Sequence, residues 1–234
     1  MTTTTKSPAK PTPSARSASA CLPVEAFEFY DALALDNSRA WWQEHRGDYE
    51  QYVRQPMMAV LAELEGEFGS GHLFRPYRDT RFAKDKSPIK DHQGAFIEVE
   101  DAVGYYLQVS AEGLMVAGGW YSPRGLQLVR FREAVSAGHA SQLRAMLARL
   151  EKQGWQIEGR ALKTRPRGVD ADDPNLDLLR YRALTGAKHY PIEPWLGTPK
   201  VVTRVRTAWR QSRPLVEWLG DNVGPGDDPA LPPE

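Results

Sequence analysis

At 234 residues, with 30 basic and 30 acidic side chains, the chain is long enough for one sizeable domain and carries no net charge. That balance argues against a generally basic protein that coats nucleic acid, so any anion site has to be local. Cys21 is the only cysteine and the five histidines are scattered, which excludes an intrachain disulfide and every cysteine-based metal pattern, and no metal site is expected.

Residues 1–22 are rich in Thr, Ser, Ala and Pro, contain no acid, and read as a disordered tail. Residues 221–234, acidic and rich in Pro and Gly, read as a second tail, leaving 23–220 as a single domain. Nowhere is there an apolar run near the ~18 residues that suggest a membrane span. The expectation is a soluble, cytoplasmic protein without a membrane partner.

Pro23 suits the first turn of a helix, in which Phe27, Tyr30, Leu33 and Ala34 recur at helical spacing. Asp36, Asn37 and Ser38 stop that helix and offer caps for the next, which carries Trp41, Trp42 and His45. A longer helical pattern follows through Tyr49, Val53, Met57, Val60, Leu61, Leu64 and Phe68, with a kink or fresh start expected at Pro56. After residue 92 the period changes to two. Residues 95–100, 104–110 and 113–120 read as three consecutive antiparallel strands joined by short turns. Ser122 and Pro123 read as the cap and first position of a helix running to Val135, and a second helix covers about 140–152 and stops at Gly154. Short strands are expected at 156–158 and 180–184. A last helix carries Val201, Val202, Val205, Trp209, Leu215 and Val216, bent or restarted at Pro214. Helices, then a meander, then helices make an α+β fold: an antiparallel β-meander packed with helices in one domain.

The stretch RPYRDTRFAKDKSPIKDH, residues 75–92, concentrates positive charge, with six cationic residues against three acids. Pro76 and Pro88 favour extended structure with a turn. In a strand, Arg75, Tyr77, Asp79 and Arg81 share one face, so Asp79 lies between two arginines on that face. Guanidinium forks match phosphate or carboxylate bidentately, and Lys84 and Lys86 add mobile charge. The leading functional reading is therefore a basic pocket built by Arg75, Arg78 and Arg81 that binds a phosphate- or carboxylate-bearing ligand. Arg78 and Arg81 can instead pair internally with Asp79 and other acids, which only ties the segment to the helices; that is the commoner use of such a cluster. A hydrolase or transferase acting on an anionic substrate, with Asp79 or His92 as acid or base, stays open. So does a protein associated with nucleic acid. No P-loop, dinucleotide-binding Gly pattern or Gly-x-Ser-x-Gly is present, so the cofactor is unassigned, as are any reaction and the oligomeric state.

Gly118 and Gly119 end the third strand. They allow close backbone approach or positive φ, and with a helix N-terminus at 122–124 they could receive an anion and face the arginine segment across one pocket. The alternative is a bulge that turns the sheet while Trp120 packs in the core.

The motif FRPYRDTRFAKDKSP, followed by YYLQVS and GLMVAGGWYSP, resembles the bacterial domain of unknown function family 2461. Its Arg-x-x-Arg-Asp-x-Arg-Phe core corresponds to Arg75, Arg78, Asp79, Arg81 and Phe82, leading into Lys84, Lys86 and Lys90. NSRAWWQEHRGDYEQYVRQP is similar to the family's Asn-x-Arg-x-Trp helix start, and KTRPRGVDADDP has the same flavour. Where members usually carry a tyrosine after the lysines, this chain has Ile89. The resemblance implies one compact domain over Phe27 to about Leu219 and carries no activity with it.

Overall fold

Segments from two separate parts of the chain meet in one antiparallel sheet of order β1-β2-β3-β4-β6-β5. The computed structural model describes residues 20–81 and 84–226. The strands are β1 (Gly71–Leu73), β2 (His92–Glu100), β3 (Val103–Ser110), β4 (Gly113–Trp120), β5 (Gln156–Glu158) and β6 (Leu184–Tyr190). β2, β3 and β4 are the expected meander, in register from His92↔Ser110 and from Val103↔Trp120.

β6 differs from the sequence reading. The strand begins where the expected 180–184 segment ended, and Tyr181 makes only an isolated bridge with Ala161. Its residues, LTGAKHY, lack an apolar alternation; their strand character comes from pairing with β4, Gly186 opposite Gly118 and Leu184 opposite Trp120. Long-range pairing overrode a weak local signal.

The helices are α1 (Glu25–Leu35), α2 (Arg39–Glu44), a single turn α3 (Arg46–Asp48), α4 (Gln55–Phe68), α5 (Gln127–Ala134), α6 (Ala140–Lys152), a single turn α7 (Leu176–Leu179) and α8 (Lys200–Val223). Ser38 caps α2 as expected, its Oγ accepting the Trp41 N–H at 3.1 Å. α8 lies against the sheet and buries Val201, Val205, Trp209, Ser212, Val216 and Leu219 at helical spacing. Pro214 neither bends α8 into two elements nor restarts it. Buried contacts on both sides of the proline outweigh the one missing hydrogen bond.

Gly118 exists for this packing. A Cβ there would lie 2.6 Å from the Ser212 Oγ, so α8 can sit against β4 only where the strand has no side chain. α5 starts at Gln127 and not at Pro123, because Gly125 takes φ +47° and breaks the helical path. The buried Gln127 amide then accepts the Arg124 N–H at 2.9 Å and donates to the Asp101 and Gly224 carbonyls at 2.8 and 2.7 Å.

The packed region is wider than 23–220. Leu22 is fully buried and its N–H donates to the Leu196 carbonyl at 2.8 Å, while α8 continues to Val223. The remaining tail assignments, 1–19 and 227–234, lie outside the described residues. No helix among the described residues is long and apolar enough to cross a membrane.

Candidate functional site

Pro56 has no N–H to give to a helix, and the chain meets this with an extra residue per turn just before it. Residues Tyr49–Arg54 form a π segment, and Gln55 donates to the Glu50 carbonyl five residues back. Such segments recur at functional sites. The expected fresh start at Pro56 is therefore α4 following a π turn.

Between this helical stretch and the extended residues 70–77 runs a cleft of about 550 Å³. Arg46, Arg54 and Arg75 line it, together with Glu50, Glu65 and the aromatic rings of Trp42, Phe74 and Tyr77. Arg54 pairs with Glu50 at 2.7 Å. Arg46 and Arg75 are exposed, and among the described residues neither meets a carboxylate at ion-pairing distance.

The wall behind the cleft is held by a buried polar chain. The Tyr49 hydroxyl donates to Gln93 Oε1 at 2.7 Å, and Gln93 Nε2 donates to the Phe74 carbonyl at 2.7 Å. Burial pushes the Tyr49 hydroxyl up to about 12, so it stays a neutral donor across the physiological range. Trp42 Nε1 donates to the Tyr77 hydroxyl at 3.2 Å, tying α2 to the segment after β1.

Extended structure with a turn was expected for 75–92, and residues 76–78 do pair antiparallel with 88–90. Arg78 N–H donates to the Pro88 carbonyl at 2.9 Å and Lys90 N–H to the Pro76 carbonyl at 2.8 Å. Asn37 clamps the returning arm, its amide both donating to the Ile89 carbonyl (3.0 Å) and accepting the Ile89 N–H (3.1 Å). The Asn-x-Arg-x-Trp stretch and the arginine-rich stretch are thus in direct contact. Ile89 itself is buried.

The expected pocket of Arg75, Arg78 and Arg81 is not assembled. Arg75 enters the large cleft, whereas Arg78 faces a separate hollow of about 290 Å³ with Arg39, and the Trp42–Tyr77 pair lines both. Arg78 pairs with Asp85 at 2.9 Å and Asp91 at 3.6 Å. Among the described residues Asp79 pairs with Arg81 alone, Oδ2 to Nη2 at 2.7 Å, out in solvent. The Arg81 hydrogen bonds keep the Asp79 carboxyl below the usual carboxylate range, with Arg75 a smaller contribution. Lys84 is exposed, and Lys86 Nζ donates to the Thr80 carbonyl at 2.9 Å. Phe82 lies outside the described residues. His92 Nδ1 contacts Asp91 at 2.7 Å.

Gly118 and Gly119 are on the sheet and line a different, apolar hollow of about 240 Å³ with Phe96, Tyr106, Ala117 and Tyr121. Gly119 has φ +146°, and a Cβ there would lie 2.4 Å from the Leu184 carbonyl oxygen. Close approach is the use these glycines have here. Phe74 is the residue that touches both this hollow and the large cleft; the arginines of 75–81 do not line it.

Lys90 lies beside the segment, its Nζ 5.5 Å from the Phe74 ring centre. Burial, then Arg75 and Arg78, lower its pKa. Sequence reasoning missed Arg46, Arg54 and Tyr49. The signal was present as Arg46, Glu50 and Arg54 at intervals of four, one face of a helix. No group of His, Cys, Asp and Glu suited to a metal ion occurs among the described residues.

A family model described as "Conserved hypothetical protein (DUF2461)" matches residues 25–218. No curated protein and no solved structure matches the chain.

Proposed function

The chain belongs to the DUF2461 family of conserved hypothetical proteins, and since that membership assigns no reaction, we propose its function from the cleft: it binds a ligand bearing a carboxylate or phosphate. The observation that carries this reading is the pair of arginines, Arg46 and Arg75, lining a 550 Å³ cleft without an acid partner among the described residues. A planar guanidinium with free donors is suited to a bidentate anion. Trp42, Phe74 and Tyr77 supply apolar surface for the rest of the ligand, as small-ligand sites of this size usually do. The role proposed is recognition. Tyr49, pushed up to about 12 and bonded to Gln93, is a positioning donor and not a base.

A thermal-shift comparison of wild type and Arg75→Ala against phosphate, glutarate and acetate tests the reading. A ligand at ~100 times its dissociation constant adds about 2.7 kcal/mol, which is roughly 5–11 °C at this chain length. A shift of that order in wild type that is lost in Arg75→Ala is expected. No shift with any anion, or an equal shift in the variant, overturns it.

A further inference from the structure

Residues 71–77 all line the cleft. β1 is the outermost strand of the sheet, so one side of its backbone pairs with β2 and, among the described residues, the other has no strand beside it. In extended backbone the N–H and C=O of one residue point the same way, and successive residues alternate. Phe74 points inward, its N–H donating to the Gly94 carbonyl at 2.9 Å and its carbonyl accepting from Gln93 Nε2 at 2.7 Å. Pro76 and Arg78 also point inward, to Lys90 and Pro88 at 2.8 and 2.9 Å. Leu73 on β1 and Tyr77 in its bridge with Ile89 therefore turn their N–H and C=O groups away from these partners, on either side of a bend at Pro76, and both residues line the cleft. Pro76, whose carbonyl accepts from Lys90, lacks a donor on the inner side.

Resting on the reading of the cleft as a carboxylate or phosphate site, we propose that its ligand is an extended acidic peptide whose backbone adds to β1 as a further strand. Exposed strand edges are ready templates for another chain, and proteins usually cover or blunt them. Here the edge lies inside a cleft. Met58, Ala62 and Glu65 of α4 line the same cleft. Leu61 of α4 packs on the face of β1 at Gly71, its side chain 3.2 Å from where a Cβ would stand. Strand addition takes its affinity from main-chain hydrogen bonds and its specificity from alternate side chains. Arg46 and Arg75 set that specificity: they select carboxylates, on side chains or at a C-terminus.

The edge also separates a peptide from a nucleic acid. Leu73 and Tyr77 present both donors and acceptors. A peptide backbone answers both at strand spacing, whereas a phosphodiester backbone only accepts.

Calorimetric titration of the whole chain with the acetylated peptide Val-Glu-Val-Glu-Val tests the proposal, alongside two isomers N-methylated on alternate residues. A strand uses the N–H groups of one side, so one isomer should bind about tenfold more weakly and the other like the parent. Glutarate and oligothymidylate serve as competitors, and Arg75→Ala as the variant. Equal binding of both isomers and the parent overturns strand addition; if glutarate still binds and needs Arg75, the anion reading survives that failure. Parent binding no tighter than glutarate also overturns it. Absence of both peptide and glutarate binding overturns both readings. Displacement of the peptide by oligothymidylate at lower concentration than unlabelled peptide overturns the peptide in favour of nucleic acid.

Discussion

On α8, Arg206, Arg210 and Arg213 converge on one carboxylate, Glu67 of α4, at 3.5, 2.7 and 2.9 Å. Arg46 and Arg75, by contrast, line a cleft and, among the described residues, have no acid at ion-pairing distance. The side chain is the same, but the first group is consumed in joining two helices and the second keeps its donors. Local charge density does not distinguish them, since the densest basic stretch, 75–92, sends its arginines three ways: Arg75 to the cleft, Arg78 to Asp85 and Asp91, Arg81 to Asp79. What separates structural from available arginines is the position of the carboxylates, which only the fold determines.

The sharpest way to break that contrast is Glu67→Gln. It leaves three arginines facing one another without a counter-charge, and the loss of a partly exposed network of charged hydrogen bonds should cost about 1–2 kcal/mol. Urea unfolding of the two proteins measures it; a change indistinguishable from zero would make the α4–α8 cluster incidental. Its pH dependence follows from sign. Hydrogen bonds from Arg210, with help from Arg213, hold the Glu67 carboxyl below its ordinary 4.5. A depressed folded value means stability fully present above 4.5 and lost as pH falls through the folded value. The gap between wild type and Glu67→Gln should be widest near neutrality and shrink below pH 4.5.

Arg78→Ala comes next. Its two acid partners are more than half exposed on their side chains, at 52% and 73%, so the pairs are screened and the loss should be about 1 kcal/mol. A larger loss would point instead to the buried stem of the side chain, whose Nε has no partner among the described residues.

The sequence carried the meander and the capped helices well, because each rests on a local rule. Period-two runs at 104–110 and 113–120 became β3 and β4, and the Ser38 cap was where a cap should be. It failed where distant partners decide. LTGAKHY becomes a central strand only because β4 offers two glycines and a small-residue floor opposite it, and Pro214 stays helical only because α8 is packed on both sides of it. The candidate site was half legible for the same reason. Arg75 belongs to the densest basic window, while Arg46 and Arg54 sit on the helical stretch about twenty to thirty residues earlier and meet it through the Trp42–Tyr77 contact, the Tyr49–Gln93–Phe74 hydrogen bonds and the return of the chain along β1.

The smallest expected effect discriminates best between neighbours in sequence. Arg75 and Arg81 are six residues apart and both exposed, and charge counting along the segment treats them alike. Arg81 already has its carboxylate, bonded to Asp79 at 2.7 Å, and lines none of the three hollows beside the segment. Arg75 lines the cleft. Removing either side chain should leave unfolding by urea almost where it was, because no buried partner is stranded. Only Arg75→Ala should lose the glutarate and peptide response, and Arg81→Ala should keep both. If the two variants lost the response equally, a diffuse field from the whole basic segment would be holding the ligand, and salt would then weaken wild-type binding steeply. A response that survives moderate salt and disappears only with Arg75 would locate it in contact chemistry at the cleft.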